Sequence, residues 1–220
     1  MHQQINQTNH MQVKTFTHIK ALEKQDARLF VSNNYKGGKV LTLSADNFYF
    51  ENLLLDKLNI KQSIDCYEYE QKHYLNGKKL FAKVKKRNQN MRYIFDNIFN
   101  ADFSQYDFIF LDLCCNLSVE TTMNIIAALQ GFKGRIFITL MRTREKFTNE
   151  DLNAYGVPRK KCIKERKRIF RDTTFIQLVE QFTKLKQFAP RYDYQNSFVK
   201  KGETKVSKGT PMAIYSFTKK

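Results

Sequence analysis

The chain predicts an α/β protein: an open, mostly parallel seven-stranded sheet with helices on both faces and a C-terminal antiparallel hairpin. Three observations lead there. Short apolar runs of strand length, at 39–44, 63–70, 106–112 and 135–141, alternate with segments whose apolar residues recur at helical spacing. Two of these runs, 63–70 and 106–112, end in an acid, which buried parallel strands accommodate at their carboxyl ends and rarely inside. The final stretch, 191–219, reads as two strands around a Gly- and Lys-rich turn.

Of the 220 residues 42% are apolar, with 19 Phe and 11 Tyr, which suits a folded chain with a substantial core. No linker or repeat divides it: residues 1–14 are expected to be a flexible polar tail and 15–220 a single domain. The formal net charge is +17 and the pI is about 9.7. That excess favours polyanions, either a nucleic acid or an anionic membrane surface, although a Lys- and Asn-rich composition also arises from genomic bias. Cysteines at 66, 114, 115 and 162 form no CxxC framework, and the adjacent pair suits neither a disulfide staple nor a zinc knuckle. No apolar run approaches the roughly 20 residues of a membrane span, and the polar start lacks a signal-peptide core. An intracellular chain, cytoplasmic or nuclear, is expected.

Along the chain, Phe16 to Gln25 predicts a short helix, and Gly37-Gly38 a break before the strand KVLTLS (39–44). Asp46 can cap a helix whose Phe50, Leu53, Leu54 and Leu58 share a face. SIDCYEYE (63–70) is a second strand with acids at its end, followed by a basic, partly helical segment from Lys72 to Arg92. RYIFDNIF (92–99) reads as a third strand or as the end of a helix. YDFIFLD (106–112) is the fourth strand and runs into a small-residue loop; a helix from Ser118 to Gln130 stops at Gly131. RIFITLM (135–141) is a further strand. Thr148 to Ala189 reads as mainly helical around a basic loop, with Phe175, Leu178, Val179, Phe182 and Leu185 as its stripe.

In order, the strand and turn KVLTLSADNFYFE, the acidic end IDCYEYE, the acid in NADFS, the fourth strand YDFIFLDLCC, the fifth strand GRIFITLMRTRE and the closing PMAIYSFTK resemble a divergent class I (Rossmann-like) S-adenosylmethionine-dependent methyltransferase. The resemblance spans about residues 37–219. That family has a seven-stranded sheet ending in an antiparallel hairpin, and its first loop carries an acid and Gly-x-Gly. Here the turn is Ser44-Ala45-Asp46-Asn47, without glycine.

The resemblance implies S-adenosylmethionine as cofactor, held by Ser44, Ala45 and Asp46 in the first loop. It also implies Glu68 on the ribose hydroxyls, with Glu70 as the alternative, and Asp102 near the adenine. A carboxylate accepts two hydroxyl hydrogen bonds well; against that, Asp102 also suits a turn or cap. Asp112, with Asn116 in the loop beyond it, stands where the family orients or deprotonates the methyl acceptor. Cys115 has the offset from Asp112 of the nucleophilic thiol in cytosine C5 methyltransferases, with Cys114 where those have proline; simple burial is the rival reading. Arg142, Arg144 and Glu145 suit either a substrate phosphate or a lock on this loop.

The densest positive run, 158–171, would align Lys160, Lys161, Lys164, Arg168 and Arg171 along one helical stripe for nucleic-acid phosphates; a solvated face is the other reading. Lys200, Lys201, Lys205 and Lys208 add a second patch. The function expected is methyl transfer from S-adenosylmethionine to DNA or RNA. The alternative is a degenerate methyltransferase-like domain that binds nucleic acid or a protein partner. A protein or small-metabolite acceptor is a third option.

Overall fold

The computed structural model describes residues 22–44, 47–58, 61–195, 198–199, 206–207 and 209–219. Its main sheet contains β1 (Val40–Leu43), β2 (Ile64–Glu68), β3 (Met91–Phe95), β4 (Phe108–Ser118), β5 (Arg135–Lys146), β6 (Leu185–Gln187), β7 (Tyr192–Gln195) and β10 (Pro211–Lys219). β8 (Phe198–Val199) and β9 (Val206–Ser207) form a separate ribbon. The order across the sheet is β3-β2-β1-β4-β5-β10-β6. The first five strands are mutually parallel, and β10 runs antiparallel to β5. β6 and β7 pair with opposite halves of β10, Phe217–Lys219 and Pro211–Ile214, so together they fill the last of seven positions.

Alternation sets the two faces. Phe108 and Phe110 of β4 pack with α1 (Leu22–Asn33), α2 (Tyr49–Leu58) and α3 (Gln71–Lys85) through Ala27, Val31, Leu54 and Val84. Ile109 and Leu111 pack with α4 (Val119–Ala128), α5 (Asn149–Ala154) and α7 (Phe175–Thr183) through Ile125, Leu152, Phe175 and Val179. The helices therefore lie on both faces, as a parallel sheet requires.

Several boundaries differ from expectation. The first described helix runs on to Asn33, because Ala27 and Val31 bury a one-turn apolar spacing; residues 16–21 lie outside the described ones. No α-helix connects β3 to β4. Two 3₁₀ turns, Ile98–Asn100 and Phe103–Gln105, do so instead, plugging the core with Ile98 and Phe103. Beside them Asp65 of β2 is fully buried. Arg92 Nε reaches its Oδ1 at 2.7 Å and the Tyr106 hydroxyl its Oδ2 at 2.7 Å. Burial alone would raise this carboxyl; the bonds from Arg92 and Tyr106 outweigh it and hold it below its usual value. The stretch 148–189 breaks into α5, α6 (Ile163–Ile169), a π turn (Phe170–Thr174) and α7. The helical run ends where Lys184 turns left-handed (φ 61°), and β6 follows where helix was expected.

Candidate functional site

β2, β1 and β4 lie side by side and point the same way, with Val40 level with both Ile64 and Phe108. Their carboxyl ends deliver Glu68, Ser44 and Asp112 to one edge. All three share the parity of Ile64, Val40 and Phe108 and so belong to the α1–α3 face. Ser44 is buried; its N–H reaches Tyr67 O at 3.3 Å, and its hydroxyl donates to Glu51 Oε1 at 2.6 Å. Ala45 and Asp46 lie outside the described residues. The glycine-free turn reverses at Phe48, which is left-handed (φ 50°) and fully buried; its carbonyl accepts both the N–H and the side-chain amide of Asn52.

Glu51, in the first turn of α2, is 1% exposed. Burial pushes its carboxyl up, and the Ser44 hydroxyl, its own backbone N–H, the Thr42 hydroxyl and nearby Arg28 offset this only in part. Glu51 Oε2, Thr42 Oγ1 and Thr139 Oγ1 are buried without a well-formed hydrogen bond among the described residues. Thr139 is level with Asp112 on the neighbouring strand. The edge therefore carries a cluster of polar atoms with capacity left over, where a packed core would be satisfied.

Asp112 faces α1: Lys24 Nζ and Arg28 Nη2 each lie 3.6 Å from its Oδ2, and its side chain is 10% exposed. The small-residue loop expected after it is a strand instead. β4 continues to Ser118, with register shifts against β5 between Asp112 and Asn116 and again before Ser118. Asn116 Oδ1 is buried without a hydrogen-bond partner among the described residues. Cys115 packs against the core of the α4 face, and burial pushes its thiol up, against the thiolate that covalent attack needs.

Glu68 is buried, and its Oε1 accepts the Glu70 N–H at 2.8 Å, directly before α3. Glu70 itself is exposed and meets the Tyr69 hydroxyl and His73. Asp102 is an exposed turn cap: its Oδ1 accepts the Ser104 N–H and hydroxyl, and Oδ2 the Gln105 amide. Asp96, which the sequence reading passed over, stands closer to the edge, since its N–H bonds Glu68 O. The signal was present, because Asp96 follows an apolar run just as Glu68 and Asp112 do. Glu51 was legible too, as an acid at helical spacing between buried Phe48, Leu54 and Leu55. Lys24 and Arg28 carried no such mark, since their partner lies about 85 residues away in sequence.

The basic run separates. Lys160, Lys161, Lys164 and Arg168 are exposed on and before α6. Arg171 is not on their stripe, because it sits in the π turn at 6% exposure. Its guanidinium bonds Glu145, the Arg142 carbonyl at 2.6 Å and Asp172 at 2.7 Å. Arg142 pairs with Asp193 of β7 at 2.9 Å. Arg142 and Glu145 thus tie the β4–β5 extension to the fold. The side chain of Arg144, and Lys200, Lys201, Lys205 and Lys208, lie outside the described ones.

No protein-family model and no curated protein matches the chain. Solved structures do. An archaeal protein from Pyrococcus horikoshii, reported as an RNA methyltransferase on assignment alone, superposes with TM-score 0.54 at 11% identity, over 88% of this chain and 81% of that one. Precorrin-6y C5,15-methyltransferase from Geobacter metallireducens gives 0.52 at 12%, over 93% of each. The methyltransferase domain of a bacterial Hen1 gives 0.50 at 14%, over 90% and 97%. At these identities the likeness concerns the fold, which is that of class I S-adenosylmethionine-dependent methyltransferases.

Proposed function

From the class I methyltransferase fold and its acidic, under-bonded strand edge, we propose that the chain moves a methyl group from S-adenosylmethionine to a nucleic acid. The observation that carries this is the convergence of Glu68, Ser44 and Asp112 on one edge, beside the buried Thr139 hydroxyl, which has no hydrogen-bond partner among the described residues, and the loosely paired Thr42 and Glu51. A donor with ribose hydroxyls and an amino-acid end fits that set. Glu68 would accept the ribose hydroxyls, and Glu51 with Ser44 would receive the amino end. Asp96 is the nearer acid for the base, with Asp102 the farther. Bound there, S-adenosylmethionine supplies an already activated methyl group.

The protein's own work is then alignment and exclusion of water. Asp112, held between Lys24 and Arg28, accepts a hydrogen bond from the acceptor's amino or hydroxyl group and aims it along the sheet edge. Lys160, Lys161, Lys164 and Arg168 retain the role of phosphate contacts; Arg171 does not. The test is incubation with methyl-labelled S-adenosylmethionine and total RNA or denatured DNA. Label should enter acid-insoluble nucleic acid and be lost with Asp112→Asn; label in protein alone, or none, would contradict it.

A second reading, a non-transferring domain that binds nucleic acid or a protein subunit, draws on the glycine-free turn and on the two cations already paired with Asp112. It predicts nucleic-acid binding without any response to S-adenosylmethionine.

A further inference from the structure

The helices α4, α5 and α7 stand apart from the rest of this basic chain. The segments 116–132, 148–157 and 172–183, which hold them, contain none of the chain's 38 Lys and Arg. Between these helices lies a groove of about 390 Å³, lined chiefly by Met123, Ile126, Tyr155, Leu178 and Phe182, with no charged residue in its wall. Met123 and Phe182 are 52% and 53% exposed. Singly, such residues are ordinary. Here two large apolar side chains share one patch with a hollow able to seat either, which is how a contact surface differs from scattered exposure.

The two ends of this face differ in sign. Glu120 and Glu150 are exposed in the first turns of α4 and α5, beside the carboxyl ends of β4 and β5. At the other end Gln130 Nε2 donates to Phe182 O at 3.0 Å, which sets the last turns of α4 and α7 together. Exposed Lys133 and Lys184 lie just beyond those turns. A two-fold axis across α4 therefore lays acids over cations at both ends and the uncharged groove over its own copy, with the helix dipoles opposed. Such self-complementarity is what an isologous contact requires. Elsewhere the excess charge of +17 sets cation against cation between two copies. A polyanion or an anionic membrane finds no Lys or Arg in these three segments to hold it. The pattern of signs fits the face itself.

We propose that two copies of the chain associate through this face about a two-fold axis, α4 antiparallel to α4, with Met123 and Phe182 of each copy seated in the groove of the other. The carboxyl edges of the two sheets then lie at opposite ends of the pair and stay open, and the inference holds or fails without methyl transfer. The measurement is sedimentation velocity on nuclease-treated protein from about 1 to 100 μM, the range of transient contacts. Mass should rise with concentration from 26.1 kDa toward twice that value. Phe182→Glu and Met123→Glu should each weaken association at least about thirtyfold, the loss of a central anchor. Both should melt like the parent, because the side chains they replace are already exposed. Phe95→Glu, the same change on an exposed ring of β3, should leave association unchanged. Glu120→Lys and Lys133→Glu should each weaken the pair several-fold, and an equal mixture of these two variants should recover the parent's affinity, since every acid then meets a cation again. A parent that stays at 26.1 kDa at the highest concentration, groove variants that pair like the parent, an equal loss with Phe95→Glu, or a mixture no better than its components would overturn the proposal. If a glutamate variant in the groove unfolds, the exchange of the two exposed charges still decides the matter.

Discussion

Arg171→Ala separates a structural cation from a nucleic-acid contact. In the sequence Arg171 is one more charge in a basic run; in the fold its guanidinium is engaged by Glu145, the Arg142 carbonyl and Asp172, at 6% exposure. Truncation leaves Asp172 with Arg191, but strands Glu145, itself 8% exposed. Removing one partner of a buried pair destabilises by about 3–5 kcal/mol, because the remaining charge stays desolvated. For a chain of this size that is a fall in melting temperature of about 6–20 °C, at roughly 2–4 °C per kcal/mol. Thermal and urea melts followed by circular dichroism read it directly. The double variant Arg171→Met with Glu145→Leu should recover most of the loss, since replacing both charges with apolar groups is often neutral. A single variant that melts like the parent, or that loses nucleic-acid affinity at unchanged stability, would refute the reasoning.

Other outcomes follow from the same structure. Lys164→Ala with Arg168→Ala should leave stability within about 0.5 kcal/mol yet lower the salt slope of nucleic-acid binding by about one per lost contact, measured by titration over a salt series. Glu51 is held above its ordinary 4.5 by burial, so the folded chain keeps a proton that the unfolded chain releases. Stability should therefore decline as pH rises above that value, and Glu51→Gln should raise the urea midpoint at pH 8 more than at pH 4. Asp65 has the opposite sign: depressed below its usual 3.8, it contributes stability at neutral pH that is lost as pH falls under that value, and Asp65→Asn should flatten the acid side of the curve. Cys115→Ser should retain methyl transfer, because the half-buried thiol is held above its ordinary pKa and is poorly suited to become a thiolate; abolition by this variant alone would restore the covalent reading. Gly134→Ala drives a Cβ into the backbone oxygen of Asp107 and should cost more than about 1 kcal/mol in a urea melt.

Much of the fold was legible because strand periodicity and acid-terminated runs are local signals. The parallel placement of 39–44, 63–70 and 106–112 followed from alternation alone, and the shared edge with it. Signals that depend on distant partners were not legible. β4 continues past Asp112 because β5 extends beside it, which the residues DLCCNLS do not announce. Leu185 reads as the last member of a helical stripe, yet Lys184 breaks the helix and Leu185 joins the edge of β10. Arg171 and Arg168 look alike in sequence; only the π turn, which shifts the helical phase between them, sends one inward and leaves the other in solvent.

Calorimetric titration of the parent chain and of Glu68→Ala with S-adenosylhomocysteine bears most directly on whether this edge is a donor site. Saturable one-site binding that weakens at least about tenfold in the variant, the loss of roughly one charge-assisted bond, is the predicted result. No heat at millimolar ligand, or equal affinity in both proteins, would contradict it.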